Sequence, residues 1–371
     1  MTAGFVPPPY PYDRLDALKA IAARHEGGVI DLSIGDPCDP PSPKVVEALS
    51  SSNSERRYPP SIGSEPLREA ARAWMKRRLG VDVPLSQVAA VVGSKEFVVT
   101  TPQWMKLRTP NKDTVLYPSV AYPSYEMGAT LAGCRAVPVR MTPSGGLDVS
   151  SISADDASRA LMLWMNSPSN PTGALDDMAS VVAWGRSHGV PVFSDECYVE
   201  FTWQGKPHTA LEHGLDGVVV LHSLSKRSNL AGLRVGFYAG DAEIVHYLKE
   251  VRKHAGLMVP GPAQAAAVVA LGDDDSVREQ AVVYRRRLEY VANVLSSWSG
   301  LSIDLPAGGF YLWFDARDGW EFAERLATEG GALVSPGDFY GAGGANNVRV
   351  AVVQSDARLE LMAKRLGVRT A

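Results

Sequence analysis

The chain has 371 residues, of which 45% are hydrophobic and 21% charged, with a formal net charge of −4. That length favours two domains sharing one site, and the composition is that of an ordinary folded chain rather than a disordered one. The mild acidity, without any dense Lys/Arg run, excludes a nucleic-acid or anionic-membrane footprint and leaves small molecules as the expected partners. Cys38, Cys134 and Cys197 lie far apart and form no C-x-x-C pair, which fits a reducing compartment. The start, MTAGFVPPPYPYDRL, has no basic n-region ahead of an apolar h-region, and no segment reaches ~18 consecutive apolar residues. A cytoplasmic location without membrane association is the expectation.

Apolar residues at 15, 18, 21 and 22 predict a short amphipathic helix over 15–25. The strand-like VIDLSIGDP follows, ended by Gly35 and Pro37 in a turn where backbone can approach a ligand. Tyr58 precedes a Pro-Pro turn. A helix starts near Ser64 and Pro66, with Leu67, Ala70, Ala71, Trp74 and Met75 on one face. A strand over 88–92 runs into Gly93, Ser94 and Lys95 at the start of the next helix, whose free N–H groups and dipole favour an anion. After a strand over 115–117, Tyr122 precedes Pro123, which biases it toward an extended conformation, and its ring suits stacking on a flat heterocycle. Tyr125 competes for that role but is expected to pack within the following helix.

The apolar run 161–165 leads to Asn170-Pro171-Thr172-Gly173, and Met178, Val181, Val182 and Gly185 mark a helix. The strand VPVFSDECYVEF then carries Asp195 at its carboxyl end and Tyr198 three residues on. A carboxylate buried there requires a cation. The segment LHSLSKRSNLAGLRVG follows a strand over 218–221. Within it Lys226 offers an amine for condensation with an aldehyde, beside the hydroxyls of Ser223 and Ser225 and the phosphate-matching guanidinium of Arg234.

Further on, a helix is expected over 242–254, an Ala-rich stretch over 262–271, and a hinge at GDDDS (272–276). A long helix to about Ser297 carries Arg285–Arg287, which reads as a solvated face. The segments FYLWFD, a helix over 320–328, ALVSPGDFYG and NNVRVAVV suggest an α+β lobe. Arg349 lies inside the last apolar strand, an expensive place for a guanidinium without an anionic partner.

Gly-x-Pro at 35–37, Tyr-x-Pro-x-x-Gly from Tyr58, Asn-Pro-x-Gly at 170–173, Asp-Glu-x-Tyr at 195–198, Ser-x-Ser-Lys at 223–226 and the late Arg349 occur in the order in which the class I and II aminotransferases carry them. The chain resembles these fold-type-I enzymes over nearly its whole length. The resemblance implies an α/β fold: a mostly parallel central sheet in a large domain (45–271), an arm and part of the small domain in 1–44, and a smaller α+β domain in 272–371. It implies pyridoxal 5′-phosphate as cofactor and no metal. Lys226 would hold its aldehyde and move the proton at the substrate α-carbon. Asp195 would pair with the ring nitrogen, Tyr198 and Asn170 would meet the ring oxygen, and Tyr122 would lie on the ring face. Gly93, Ser94, Lys95, Ser223, Ser225 and Arg234 would surround the phosphate, and Tyr58 would reach the neighbouring subunit's phosphate across a homodimer interface. Gly35, Asn170 and Arg349 would bind the substrate, Arg349 as a bidentate clamp on its α-carboxylate.

More narrowly, SDECY, HSLSKRSNLAG, VRKHAGLMVP, GDFYG and VRVAV resemble the actinobacterial succinyldiaminopimelate aminotransferases of lysine biosynthesis. That likeness implies exchange of an amino group between glutamate and N-succinyl-2-amino-6-oxopimelate. The alternatives are an aminotransferase for alanine, aspartate or aromatic amino acids, a carbon–sulfur lyase, and a non-catalytic cofactor-sensing regulator domain. The arginine that binds a side-chain carboxylate in aspartate aminotransferases falls near Ala255 here. Lys253 and His254 are candidate replacements, and Arg227 is a further residue that could face the substrate.

Overall fold

The computed structural model describes residues 4–369. After β1 (Ile30–Asp31) come β2 (Val88–Val91), β3 (Thr114–Pro118), β4 (Arg135–Val139), β5 (Ala160–Asn166), β6 (Val192–Asp195), β7 (Val218–Ser223) and β8 (Gly236–Gly240). Strands β2 to β8 form a seven-stranded sheet in the order β2-β8-β7-β6-β5-β3-β4. From β7 across to β4 all pairings are parallel, whereas β8 is antiparallel to both β2 and β7. Helices cover both faces, which is why β3, β5 and β7 are buried along their whole length and read as continuous apolar runs. Alternate side chains enter separate cores: Leu116, Leu163 and Val220 on one face, Val115, Leu161 and Val219 on the other. The chain goes outward from β3 to β4 and resumes with β5 on the opposite side of β3. Such a reversal opens a crevice at the carboxyl ends of β3 and β5.

The second lobe has β9 (Tyr311–Asp315), β10 (Ala332–Leu333), β11 (Ser335–Pro336) and β12 (Asn347–Ala351), with β11-β12-β9 antiparallel and β10 parallel to β1. Residues from the start of the chain join this lobe: Leu15, Leu18, Ile30 and Leu32 share a core with Leu312, Leu326 and Val350. Among the described residues no helix is long and apolar enough to cross a membrane.

Some local readings change. VIDLSIGDP yields only two strand residues, because the Asp31 carboxylate accepts from Ser33 N–H at 2.9 Å and turns the chain. The charged stretch at 272–276 contributes a single non-helical residue, Asp273, between the helices Gly261–Gly272 and Asp274–Ser299, and it caps the second by accepting from Ser276 N–H. The arginine run is not a uniformly solvated face. Successive residues step about 100° around a helix, so Arg287 turns inward, 4% exposed, and pairs with Asp39 at 2.9 Å and with Asp356 at 2.9 Å.

The helix Ser94–Arg108, which starts at the crevice, is held by close packing of the helix Ser124–Leu131 against it. A Cβ on Gly128 would lie 2.9 Å from the Val98 carbonyl oxygen and 3.1 Å from Val99 Cα, backbone atoms that move only if a helix moves. Gly128→Ala should therefore cost about 1–3 kcal/mol of overpacking, read as a lower unfolding midpoint in urea.

Candidate active site

A cavity of about 240 Å³ opens at the carboxyl ends of the parallel strands, and its lining includes Lys226, Asp195, Tyr198, Tyr122, Asn170, Arg234, Ser94, Lys95, Ser225, Gly35 and Arg349. Lys226 stands on the one-turn helix Leu224–Arg227 that follows β7. Its Nζ donates to the Gly35 carbonyl oxygen. Burial pushes its ammonium down to about 8; Arg349 and Arg234 add to the fall, while Asp36 and Cys197 oppose it.

Asp195 ends β6 and faces the same cavity. Its Oδ2 accepts from the Tyr125 hydroxyl at 2.9 Å and its Oδ1 from Cys197 N–H at 3.2 Å. Desolvation raises its carboxyl and these two donors only partly offset that. Among the described residues no cation pairs with it. Tyr125 packs within its helix as expected, but its hydroxyl gives it a further role as the carboxylate's donor.

Arg349, on β12, is 1% exposed and lies between the rings of Tyr311 and Tyr340, its guanidinium carbon 4.3 and 4.8 Å from their centroids. It donates to Asn170 Oδ1 at 2.8 Å, to the Tyr12 hydroxyl at 3.2 Å and to the Ser33 carbonyl. Its Nε has no partner, and no carboxylate among the described residues meets it. A buried guanidinium held only by neutral acceptors is prepared for an incoming anion.

The Tyr198 hydroxyl lies 2.9 Å from that of Tyr311, and burial raises it well above the usual phenol range. Gly35 is required on steric grounds, since a side chain there would collide with the Tyr311 phenol. Gly93 does not line the cavity. It precedes the Ser94–Arg108 helix with φ of 78°, and a Cβ there would collide with the Arg234 guanidinium. The first N–H groups of that helix and Arg234 thus converge on one corner, beside Ser94 and Ser225.

Ser223 and Tyr58 fall outside this cavity. The Ser223 hydroxyl accepts from Ser225 N–H at 3.2 Å, so it caps the short helix beneath Lys226. Tyr58 is 93% exposed, away from its own chain's cavity. Arg227 turns from the cavity altogether: it is buried, donating to the Ala270 carbonyl and to Glu200 at 3.3 Å, because one residue beyond Lys226 on a helix points to another face. Lys253 and His254 end the helix Ala242–His254 exposed and outside the cavity lining. Sequence reasoning missed Tyr10, Tyr12 and Tyr311. The first two sit in a proline-rich start that carries no periodic signal, and Tyr311 reads as one more apolar strand residue.

The sequence profile of the aminotransferase class I and II family matches residues 27–366. The chain belongs to the class I and II aminotransferases. It is 39% identical to a probable aminotransferase of Mycobacterium tuberculosis, covering 97% of this chain and 85% of that one. It is also 39% identical to the 4-dedimethylamino-4-oxo-anhydrotetracycline transaminase OxyQ of Streptomyces rimosus, covering 97% and 99%. Among solved structures, a probable N-succinyldiaminopimelate aminotransferase from Thermus thermophilus superposes with a TM-score of 0.85 at 32% identity, covering 96% and 98%.

Aminotransferases of this family depend on pyridoxal 5′-phosphate, and the residues of this cavity fit it. The uncompensated Asp195 carboxylate suits a protonated ring nitrogen, the helix start with Arg234 suits a phosphate, and an amine of lowered basicity suits an aldehyde. When bound, the cofactor supplies an electron sink for the substrate α-carbon. Because its amine is neutral above about pH 8, Lys226 in the cofactor-free aminotransferase should react with an amine-selective acylating reagent along a curve with its midpoint near that pH. Exposed lysines should follow about two units higher. Peptide mass spectrometry across a pH series reads this directly.

Proposed function

We propose that this aminotransferase moves an amino group between glutamate/2-oxoglutarate and N-succinyl-2-amino-6-oxopimelate, as a cytoplasmic homodimer in which Tyr58 reaches the partner's cofactor phosphate. The observation that carries the reading is that, besides Lys226 and Arg234, two cations on this cavity have no carboxylate partner among the described residues. Arg349 is buried, and Lys95 lies on the rim with its Nζ 3.0 Å from the Tyr10 hydroxyl. Arg349 takes the α-carboxylate of either substrate. Lys95, which the family resemblance set beside the phosphate, reaches the Tyr10 hydroxyl on the rim instead, and there, rather than Lys253 or His254, it serves the second carboxylate that glutamate and the oxopimelate share. The likeness to the Thermus protein and the shared sequence motifs support the longer substrate.

In this reading Asn170 and Tyr12 hold the Arg349 fork in place. Lys226, whose amine burial makes less basic, would be the group that moves the proton at the substrate α-carbon. Tyr198, kept protonated by burial and by its contact with Tyr311, donates a hydrogen bond at the oxygen beside the reacting carbon. Asp195 keeps its neighbour on the ring cationic.

The test is a donor series with 2-oxoglutarate: N-succinyl-LL-diaminopimelate, alanine, aspartate and an aromatic amino acid. The expected outcome is a kcat/KM at least about tenfold higher for the first. Lys95→Gln should raise KM for the dicarboxylic substrates while leaving that of alanine in place. A preference for alanine or an aromatic donor, or release of pyruvate from a sulfur-containing amino acid, would replace the substrate assignment.

A further inference from the structure

A second compartment, about 720 Å³, adjoins the catalytic cavity, and Tyr10, Lys95, Tyr122 and Ser124 line both. Its roof is the proline-rich start of the chain at Pro8, Pro9 and Pro11. Its walls are Val99 on the Ser94–Arg108 helix and Met127 and Thr130 on the Ser124–Leu131 helix, and its far end is the turn 338–342. The roof is anchored on its carboxyl-terminal side. The Tyr12 hydroxyl lies 3.0 Å from that of Tyr340, and Arg14 donates to Asp338 at 3.0 Å while lying over the Trp320 ring.

The partition between the two spaces is slight. Of the four shared residues, Tyr10 is held there by two bonds, its hydroxyl meeting Lys95 Nζ at 3.0 Å and the Tyr122 hydroxyl at 3.3 Å, both exposed to water. Hydrogen bonds of that kind exchange readily for water, and a turn of one side chain joins the spaces. The catalytic cavity is smaller than the ~300–1,000 Å³ usual for small-molecule sites, and it must hold the cofactor and the reacting end of the substrate together. A substrate longer than glutamate has to leave it, and the doorway lies beside Lys95.

We infer that this compartment binds the N-acyl arm of an extended substrate whose distal carboxylate stops at Lys95. The inference rests on the substrate reading proposed above. The lining fits an amide-linked acyl chain: apolar proline, valine and methionine walls for its methylenes, and, besides Lys95, Arg14, which a terminal carboxylate would share with Asp338. The acidic groups of the lining are Glu126 and Asp338. Asp338 is engaged by Arg14, and Glu126 is exposed at the outer wall.

The test uses unreactive probes on the holoenzyme, by calorimetry: pimelate, N-acetyl-2-aminopimelate and N-succinyl-2-aminopimelate, in which the reacting amine is missing. The succinyl probe should bind at least about tenfold more tightly than pimelate, with the acetyl probe between them. Met127→Trp and Thr130→Trp, which fill the compartment from two positions outside the catalytic cavity, should each erase that difference while pimelate affinity stays the same. Equal affinity of the three probes for the unaltered enzyme would overturn the inference. So would a difference that survives both tryptophans, or tryptophan variants that lose pimelate equally or dissociate the dimer. Tight binding of the succinyl probe without turnover of N-succinyl-LL-diaminopimelate would retain the compartment and remove the substrate assignment, so the two failures are separable.

Discussion

Asp195 is a carboxylate that the described residues surround with two hydrogen-bond donors and no cation. Removing such a group from bulk water costs several kcal/mol unless a positive charge meets it, so the site is electrostatically incomplete until something cationic arrives. The end of β6, the Tyr125 helix and the short helix of Lys226 bring that carboxylate, its phenol donor and the amine to one cavity. The same demand couples ring binding to the carboxylate's protonation, since burial alone raises its pKa and a ring cation lowers it.

Arg349 presents the complementary problem from the other lobe. Its charge is buried between two phenol rings and satisfied by carbonyl and hydroxyl oxygens, with one N–H left over. The large sheet thus brings a lone negative group to the cavity and the small sheet a lone positive one. Gly35 and Tyr311 meet on the wall of the same cavity so closely that extra bulk on Gly35 is not tolerated. Catalytic competence is therefore a property of the seam between lobes rather than of either lobe alone.

Much of this was legible in the chain. Short apolar runs, each followed by a polar turn, were enough to find β2, β3 and β5 to β7 within a residue or two at most ends, because strands covered on both faces leave that signature. Asp195, Lys226 and Arg349 stood out because each is a charge at the end or middle of an apolar strand, and all three line one cavity. What the sequence did not carry was direction. Ser223 and Arg227 flank Lys226 closely, yet one caps a helix turn and the other points into the Glu200 network, a distinction that depends on which way a four-residue helix faces. Arg287 escaped notice for the same reason, hidden inside a run of three arginines. Tyr10 and Tyr12 escaped because a proline-rich segment has no periodicity from which a buried face can be read.

That proline-rich strap contributes little to the two sheets, since among its described residues up to Leu15 the only buried hydrophobic one is Leu15 itself, yet its tyrosines touch Lys95, Tyr122 and Arg349. In the substrate reading proposed above, selectivity and stability are therefore carried by different parts of the polypeptide. A protease nick near Pro11, or a bulky fusion partner at the amino end, would leave the melting behaviour nearly untouched while altering what the enzyme accepts, so a well-folded preparation is no guarantee of an authentic one.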